Sequence, residues 1–193
     1  MFIIEFIAAF FTLLCVILTT QRNIFSWVIG IIAICLYAIL FYNEKLYADF
    51  SLQIIFGIQS IMGYIQWNKN KENYNPYITK VEKLNINQRL RWIFPIIILY
   101  IIIAYLFDNY TDASLPYIDS LVAVLSLVAN YFLIKRKIEN WYIWIFVDVI
   151  YVGLFLYKGL ILSSILYFIL FILAIKGYKQ WYKNLKQTTN DIK

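Results

Sequence analysis

Seven stretches of this chain, at residues 2–20, 24–42, 46–67, 92–107, 116–134, 141–157 and 160–177, are strongly apolar and almost free of charge. A helix needs about 20 such residues to cross the hydrocarbon core of a bilayer, and only helices or closed barrels satisfy their backbone groups there. The spacing therefore predicts an all-α integral membrane bundle of seven transmembrane helices, with lipid as its solvent and residues 1–193 as a single membrane domain. Composition agrees, because 63% of the 193 residues are hydrophobic and only 15% are charged, too little polar surface to coat a water-soluble globule. The first stretch lacks the basic flank and small-residue cleavage site of a signal peptide, so it is expected to stay as a helix.

The placement of charge gives an orientation. With seven spans, the loops after the first, third and fifth helices and the C-terminal tail share one face. That face carries 15 of the 17 basic residues, among them Arg22, Arg89, Arg91, Lys135, Arg136, Lys137, Lys176, Lys179, Lys183 and Lys186. The opposite face has only Lys45 and Lys158. Positive residues favour the cytoplasmic side, so the C-terminus is expected inside and the N-terminus outside. The net charge of +6 is thus a topology signal and not a nucleic-acid footprint.

The sequence also repeats itself. Asn23-Ile-Phe-Ser-Trp27 opens the second span and Asn140-Trp-Tyr-Ile-Trp144 the sixth, 117 residues apart; Gly63-Tyr-Ile-Gln-Trp67 closes the third and Gly177-Tyr-Lys-Gln-Trp181 the seventh, 114 apart. The order predicts two parallel three-helix repeats, 1–67 and 116–181, joined by a linker helix at 92–107, with a site between the halves near mid-membrane. Aromatic belts at the membrane interface are the plainer explanation for a lone Trp, but they account poorly for a repeated GYxQW.

Several chemistries are excluded. There is no histidine, and Cys15 and Cys35 lie in apolar stretches without CxxC spacing, so no metal site or disulfide framework is expected. The six glycines form no GxxxxGK[ST] loop, which leaves no phosphate cradle for driving transport with ATP. No paired acids lie inside the bundle, so no catalytic constellation, cofactor or enzyme activity is expected.

Asp148 is the residue that carries chemistry. It sits at the centre of the sixth span, where a charge costs several kcal/mol and normally faces the bundle interior. Trp144 at i−4, Tyr151 at i+3 and Phe155 at i+7 share its helix face. A carboxylate among aromatic faces suits an organic cation, because the acid neutralises it and the ring quadrupoles replace its lost hydration. The competing roles are a polar clamp between helices and a protonatable group coupled to a proton flux. Gln53 and Gln59 in the third span are candidate hydrogen-bonding partners for a ligand, or else interhelical clamps. Asp119 and Ser120, after Pro116, suit an N-terminal cap. Loop 68–91 is basic and polar and is expected to be a solvated linker.

Residues Leu46-Tyr-Ala-Asp-Phe-Ser-Leu-Gln53 and Gly63-Tyr-x-x-Trp67, then Asp119-Ser120, Val124-Leu-Ser126, Lys135-Arg136, Glu139-Asn-Trp141, Trp144 and Gly177 with Trp181, resemble the PnuC family of vitamin transporters over about residues 20–182. The resemblance implies a SWEET-like 3+1+3 fold, a homotrimer in the cell inner membrane, and uptake of nicotinamide riboside by facilitated diffusion, with a cytoplasmic kinase trapping the product. The family's substrate motif is Trp, three residues, Asn, then an aromatic seven positions on. Here Trp144 and Phe155 match, but Asp148 stands where the Asn belongs. An acid pairs equally well with the pyridinium of nicotinamide riboside and the thiazolium of thiamine, so a thiamine transporter and a proton-coupled symporter remain the alternatives. Riboflavin, being neutral, gains nothing from it.

Overall fold

The computed structural model describes residues 2–44, 46–69, 81–111 and 115–190. Among them run seven helices: α1 (Phe2–Thr20), α2 (Phe25–Asn43), α3 (Tyr47–Lys69), α4 (Ile86–Tyr110), α5 (Pro116–Ile134), α6 (Glu139–Tyr157) and α7 (Ile161–Asn190). Six are long and apolar enough to cross a membrane. The exception is α3, which has the length but carries Asp49, Gln53, Gln59, Ser60 and Gln66.

Two helices extend more than two residues beyond their expected spans. α4 begins at Ile86, six residues ahead of the apolar run, because Asn85 and Gln88 form a capping box that satisfies the first free backbone N–H groups. Pro95 lies inside it. α7 continues to Asn190, well beyond residue 177, since helical hydrogen bonds need no apolar side chains once the chain has left the lipid.

The helix contacts trace a closed ring. α1 packs on α2, α2 on α3, α3 on α5, α5 on α6, α6 on α7, and α7 returns to α1, while α4 lies outside against α5. About two-thirds of α5 is buried and almost none of α4, so α5 is the bundle's central post and α4 its outermost helix. The exposed isoleucines and phenylalanines of α4, such as Ile93, Phe94, Ile97 and Ile101, belong to a surface that a bilayer solvates.

Helices α1, α2 and α3 start at residues 2, 25 and 47, and α5, α6 and α7 at 116, 139 and 161, each pair 114 apart. The turns repeat at the same offset. Arg22 and Arg136 both have positive φ (59° and 53°). The bonds Arg22 N–H to Thr19 and Asn23 N–H to Leu18 reappear as Arg136 N–H to Leu133 and Lys137 N–H to Phe132. This corrects the 117-residue match between the second and sixth spans: Trp27 corresponds to Trp141, not Trp144, and Asp148 to Ile34.

The reason is a ring-on-glycine contact made twice. A Cβ on Gly63 would lie 2.5 Å from the Trp27 ring, and one on Gly177 would lie 2.5 Å from the Trp141 ring. Each of those rings meets a second Trp edge-on, Trp27 with Trp67 at 5.3 Å and Trp141 with Trp181 at 5.5 Å. The four tryptophans form one buried cluster at the basic end of the bundle. Two indole N–H groups tie the halves together reciprocally, Trp67 donating to the Ile134 carbonyl at 3.2 Å and Trp181 to the Thr19 carbonyl at 3.3 Å. Both acceptors are carbonyls in the last turn of a helix, where intrahelical donors run out, and that of Thr19 also takes the Arg22 N–H.

The end of loop 68–91 is docked through Val81 and Leu84 while Glu82, Lys83 and Asn85 stay exposed, which corrects in part the expectation of a solvated linker; residues 70–80 lie outside the described residues. Val81 and Leu84 are buried, and Glu82 exchanges backbone bonds with Arg136 and Ile138 in the α5–α6 turn. Glu82 also pairs with Lys137, and Glu139 accepts from Leu84 N–H at 3.1 Å and from Arg89 at 2.7 Å. Arg136 lies 5.3 Å over the Trp67 ring and donates to the Trp67 carbonyl. Burial pulls its guanidinium below the ordinary arginine value, and Glu82 pulls it back up.

Candidate functional site

Asp148 is 4% exposed, on the side of α6 turned into the bundle. Among the described residues it makes no hydrogen bond and no ion pair. That weighs against the clamp role, which needs a partner on a neighbouring helix.

Beside it the aromatic residues gather as expected, with one addition. Tyr151 and Phe155 stack at 5.6 Å with planes 14° apart. Tyr167 of α7 lies 4.4 Å from Tyr151 and 5.2 Å from Phe155, so three rings form one continuous wall across α6 and α7. Tyr167 was not singled out from the sequence. Phe and Tyr are so frequent here (15 and 17) that no single one carries a signal until the α6–α7 register is known.

The remaining candidates separate. Trp144 packs against the tryptophan cluster toward the basic end. Residues 144 and 155 are eleven apart, about 16 Å along a helix, so one small ring cannot touch both at once. Gln59 is committed to a clamp: its amide donates to the Leu127 carbonyl at 3.1 Å and accepts from Asn130 at 3.0 Å, joining α3 to α5. Gln53 is half-buried, with no side-chain hydrogen bond among the described residues.

Asp119 does not cap α5. Leu115 is the N-cap, without a side-chain bond, and Pro116 takes the first helical position. Asp119 instead pairs with Lys158 at 3.7 Å, and Ser120 donates to the Pro116 carbonyl. Asp49, Asp119 and Asp148 all stand within electrostatic reach of the Tyr151 hydroxyl. The wall therefore has a buried acid at one side and, toward the end away from the basic cluster, Asp49 and the Asp119–Lys158 pair. The opposite face of α6 borders an apolar groove with α5, lined by Ile118, Val149, Gly153 and Tyr157.

The chain is thus an all-helical, multi-pass membrane protein in which a buried carboxylate, without a hydrogen bond or ion pair among the described residues, lies beside three neighbouring aromatic rings. The chain belongs to the nicotinamide mononucleotide transporter family, whose model matches residues 2–183. It is 26% identical to the nicotinamide riboside transporter PnuC of Escherichia coli (strain K12), over 95% of this chain and 87% of that one. It is 22% identical to the riboflavin/roseoflavin transporter RibM of Streptomyces davaonensis, over 89% and 81% respectively. The crystal structure of the vitamin B3 transporter PnuC has the same fold, with a TM-score of 0.79 at 23% identity, covering 95% of this chain and 82% of that one.

Proposed function

We propose that this protein takes up a cationic vitamin across the cell inner membrane by facilitated diffusion, with nicotinamide riboside the first candidate substrate. The observation that carries the substrate class is Asp148, a buried carboxylate without a protein partner beside the Tyr151–Phe155–Tyr167 wall. An unpaired intramembrane acid is costly, and a cationic ring relieves that cost while the aromatic faces replace its water. The names of the curated relatives support vitamin transport, and nicotinamide riboside is the substrate named for the PnuC proteins.

In this reading α3 also crosses the bilayer, because Gln59 is bonded to α5 and Ser60 is buried, which takes its mid-span polar groups away from lipid. The helices form two parallel three-helix repeats about an axis along the membrane normal, joined by α4 in the SWEET-like 3+1+3 manner. The 114-residue recurrence of helix starts and turn bonds supports this. The basic end, with the four tryptophans, faces the cytoplasm. The substrate enters past Asp49, Asp119 and Lys158, lodges between Asp148 and the aromatic wall, and leaves when the reciprocal Trp67 and Trp181 bonds part. Trp144 forms the floor of the site. A homotrimer and a cytoplasmic kinase that phosphorylates the arriving vitamin complete the proposal, as the family resemblance implies.

Two further readings rest on the same acid. Thiamine carries a thiazolium that Asp148 pairs with equally well. A carboxylate without a counter-ion also suits proton symport. Purified protein in liposomes, offered labelled nicotinamide riboside, thiamine or riboflavin in turn, separates them. Saturable uptake of nicotinamide riboside to the outside concentration, with riboflavin excluded, is expected. Rates no faster than protein-free liposomes for all three vitamins would overturn the proposal.

A further inference from the structure

The structural repeat identifies what is unique to the second half. The stacked pair Tyr151–Phe155 has a counterpart 114 residues earlier, Tyr37 and Phe41 of α2, stacked at 5.8 Å with planes 21° apart. The aromatic pair is therefore part of the repeated architecture and cannot by itself distinguish one half from the other. Of the four residues Asp148, Tyr151, Phe155 and Tyr167, two break the repeat. Asp148 replaces Ile34, and Tyr167 replaces Gln53. Both sit on the same wall, Tyr167 with its ring 4.4 Å from Tyr151 and 5.2 Å from Phe155. Gln53 has no ring to offer the first pair, and its amide makes no hydrogen bond among the described residues. The Tyr167 hydroxyl likewise has no hydrogen-bond partner among the described residues, so it remains available to a ligand.

We propose that Tyr167 is a substrate-contacting residue that extends the aromatic pair of α6 into a three-ring wall facing Asp148 and sets the preference for a cationic over an uncharged ring. This rests on the proposed transport of a cationic vitamin. The extra ring enlarges the negative face opposite the cation, and the unpaired hydroxyl offers one polar contact.

The test uses the full chain in detergent, with nicotinamide riboside as the charged probe and its reduced, uncharged dihydropyridine form as the neutral one. Binding is measured by calorimetry for wild type, Tyr167→Phe and Tyr167→Gln, the last copying the residue found at position 53. Tyr167→Gln is expected to weaken the charged probe about tenfold and the neutral probe much less, while Tyr167→Phe keeps most of the affinity. Tyr167→Leu replaces the glutamine variant if that protein does not elute as a single species. Unchanged or raised affinity in Tyr167→Gln overturns the inference, since the ring would then merely cover the α6 pair. Equal losses for both probes overturn it too, since the ring would then act only through helix packing. Failure of the wild type to bind either probe refutes the transport reading instead.

Discussion

Adding one methyl group at Gly177 should cost the protein as much as losing a good core contact. The new Cβ would meet Trp141 ring atoms at 2.5 Å, against about 3.5–4.0 Å for carbon atoms at ease, so ring or helix must retreat by about 1 Å. The ring has nowhere to go. Trp141 is 2% exposed and braced edge-on by Trp181, itself wholly buried. Overpacking of this kind costs roughly 1–3 kcal/mol, and the locked ring places Gly177→Ala toward the upper end. Gly63→Ala meets Trp27 at the same distance and should cost as much. Gly153→Ala is the control, because its Cβ meets nothing within 4 Å and replacing Gly by Ala in a helix gains up to about 1 kcal/mol. Unfolding in detergent, followed by the fluorescence of the tryptophans themselves, reports all three. Trp141→Phe, with its shorter ring, should recover part of the loss at Gly177. If Gly177→Ala unfolds like Gly153→Ala, the ring-on-glycine contact does not lock α7 against α6 as described.

Three further predictions concern orientation, coupling and the α3–α5 clamp. A cysteine at Lys186 should react with a membrane-impermeant reagent only from the cytoplasmic side, and one at Tyr157 only from outside; labelling of Lys186 in intact cells would invert the topology. Purified protein should equilibrate its vitamin across liposomes without concentrating it, whereas accumulation driven by a proton gradient and abolished by Asp148→Asn would establish symport. Gln59→Leu and Asn130→Leu should each destabilise the bundle, by about 1 kcal/mol, and the double change by little more than either, because they share one hydrogen bond. A vitamin-binding loss in Gln59→Leu without any change in stability would return Gln59 to the substrate site.

The helices were legible where apolar length decides them. Their ends were not, since the capping box at Asn85 and the polar last turns of α7 lie outside the apolar runs. The repeat was visible in GYxQW, but Trp141 and Trp144 offered two registers for the sixth span. The helix starts, the repeated turn bonds and the Gly177 contact with Trp141 together pick one of them. Asp148 stood out because a charge in mid-membrane is rare. Its ring neighbours on α6 followed from helical spacing, while Tyr167 on the next helix did not, because one-dimensional spacing says nothing about which face of α7 meets α6. Gln59 and Asp119 show the same limit from the other side: a polar residue in a span is conspicuous, but whether it meets a ligand, Asn130 or Lys158 depends on helix neighbours.

The central claim is that Asp148 neutralises the positive ring of the transported vitamin. Calorimetric titration of wild type and Asp148→Asn, each with nicotinamide riboside and with its uncharged dihydropyridine form, tests it most directly. The account predicts that the amide variant loses at least about tenfold for the charged ligand, ~1.4 kcal/mol, and stays close to wild type for the neutral one. Equal losses for both ligands, or no loss for either, would contradict it.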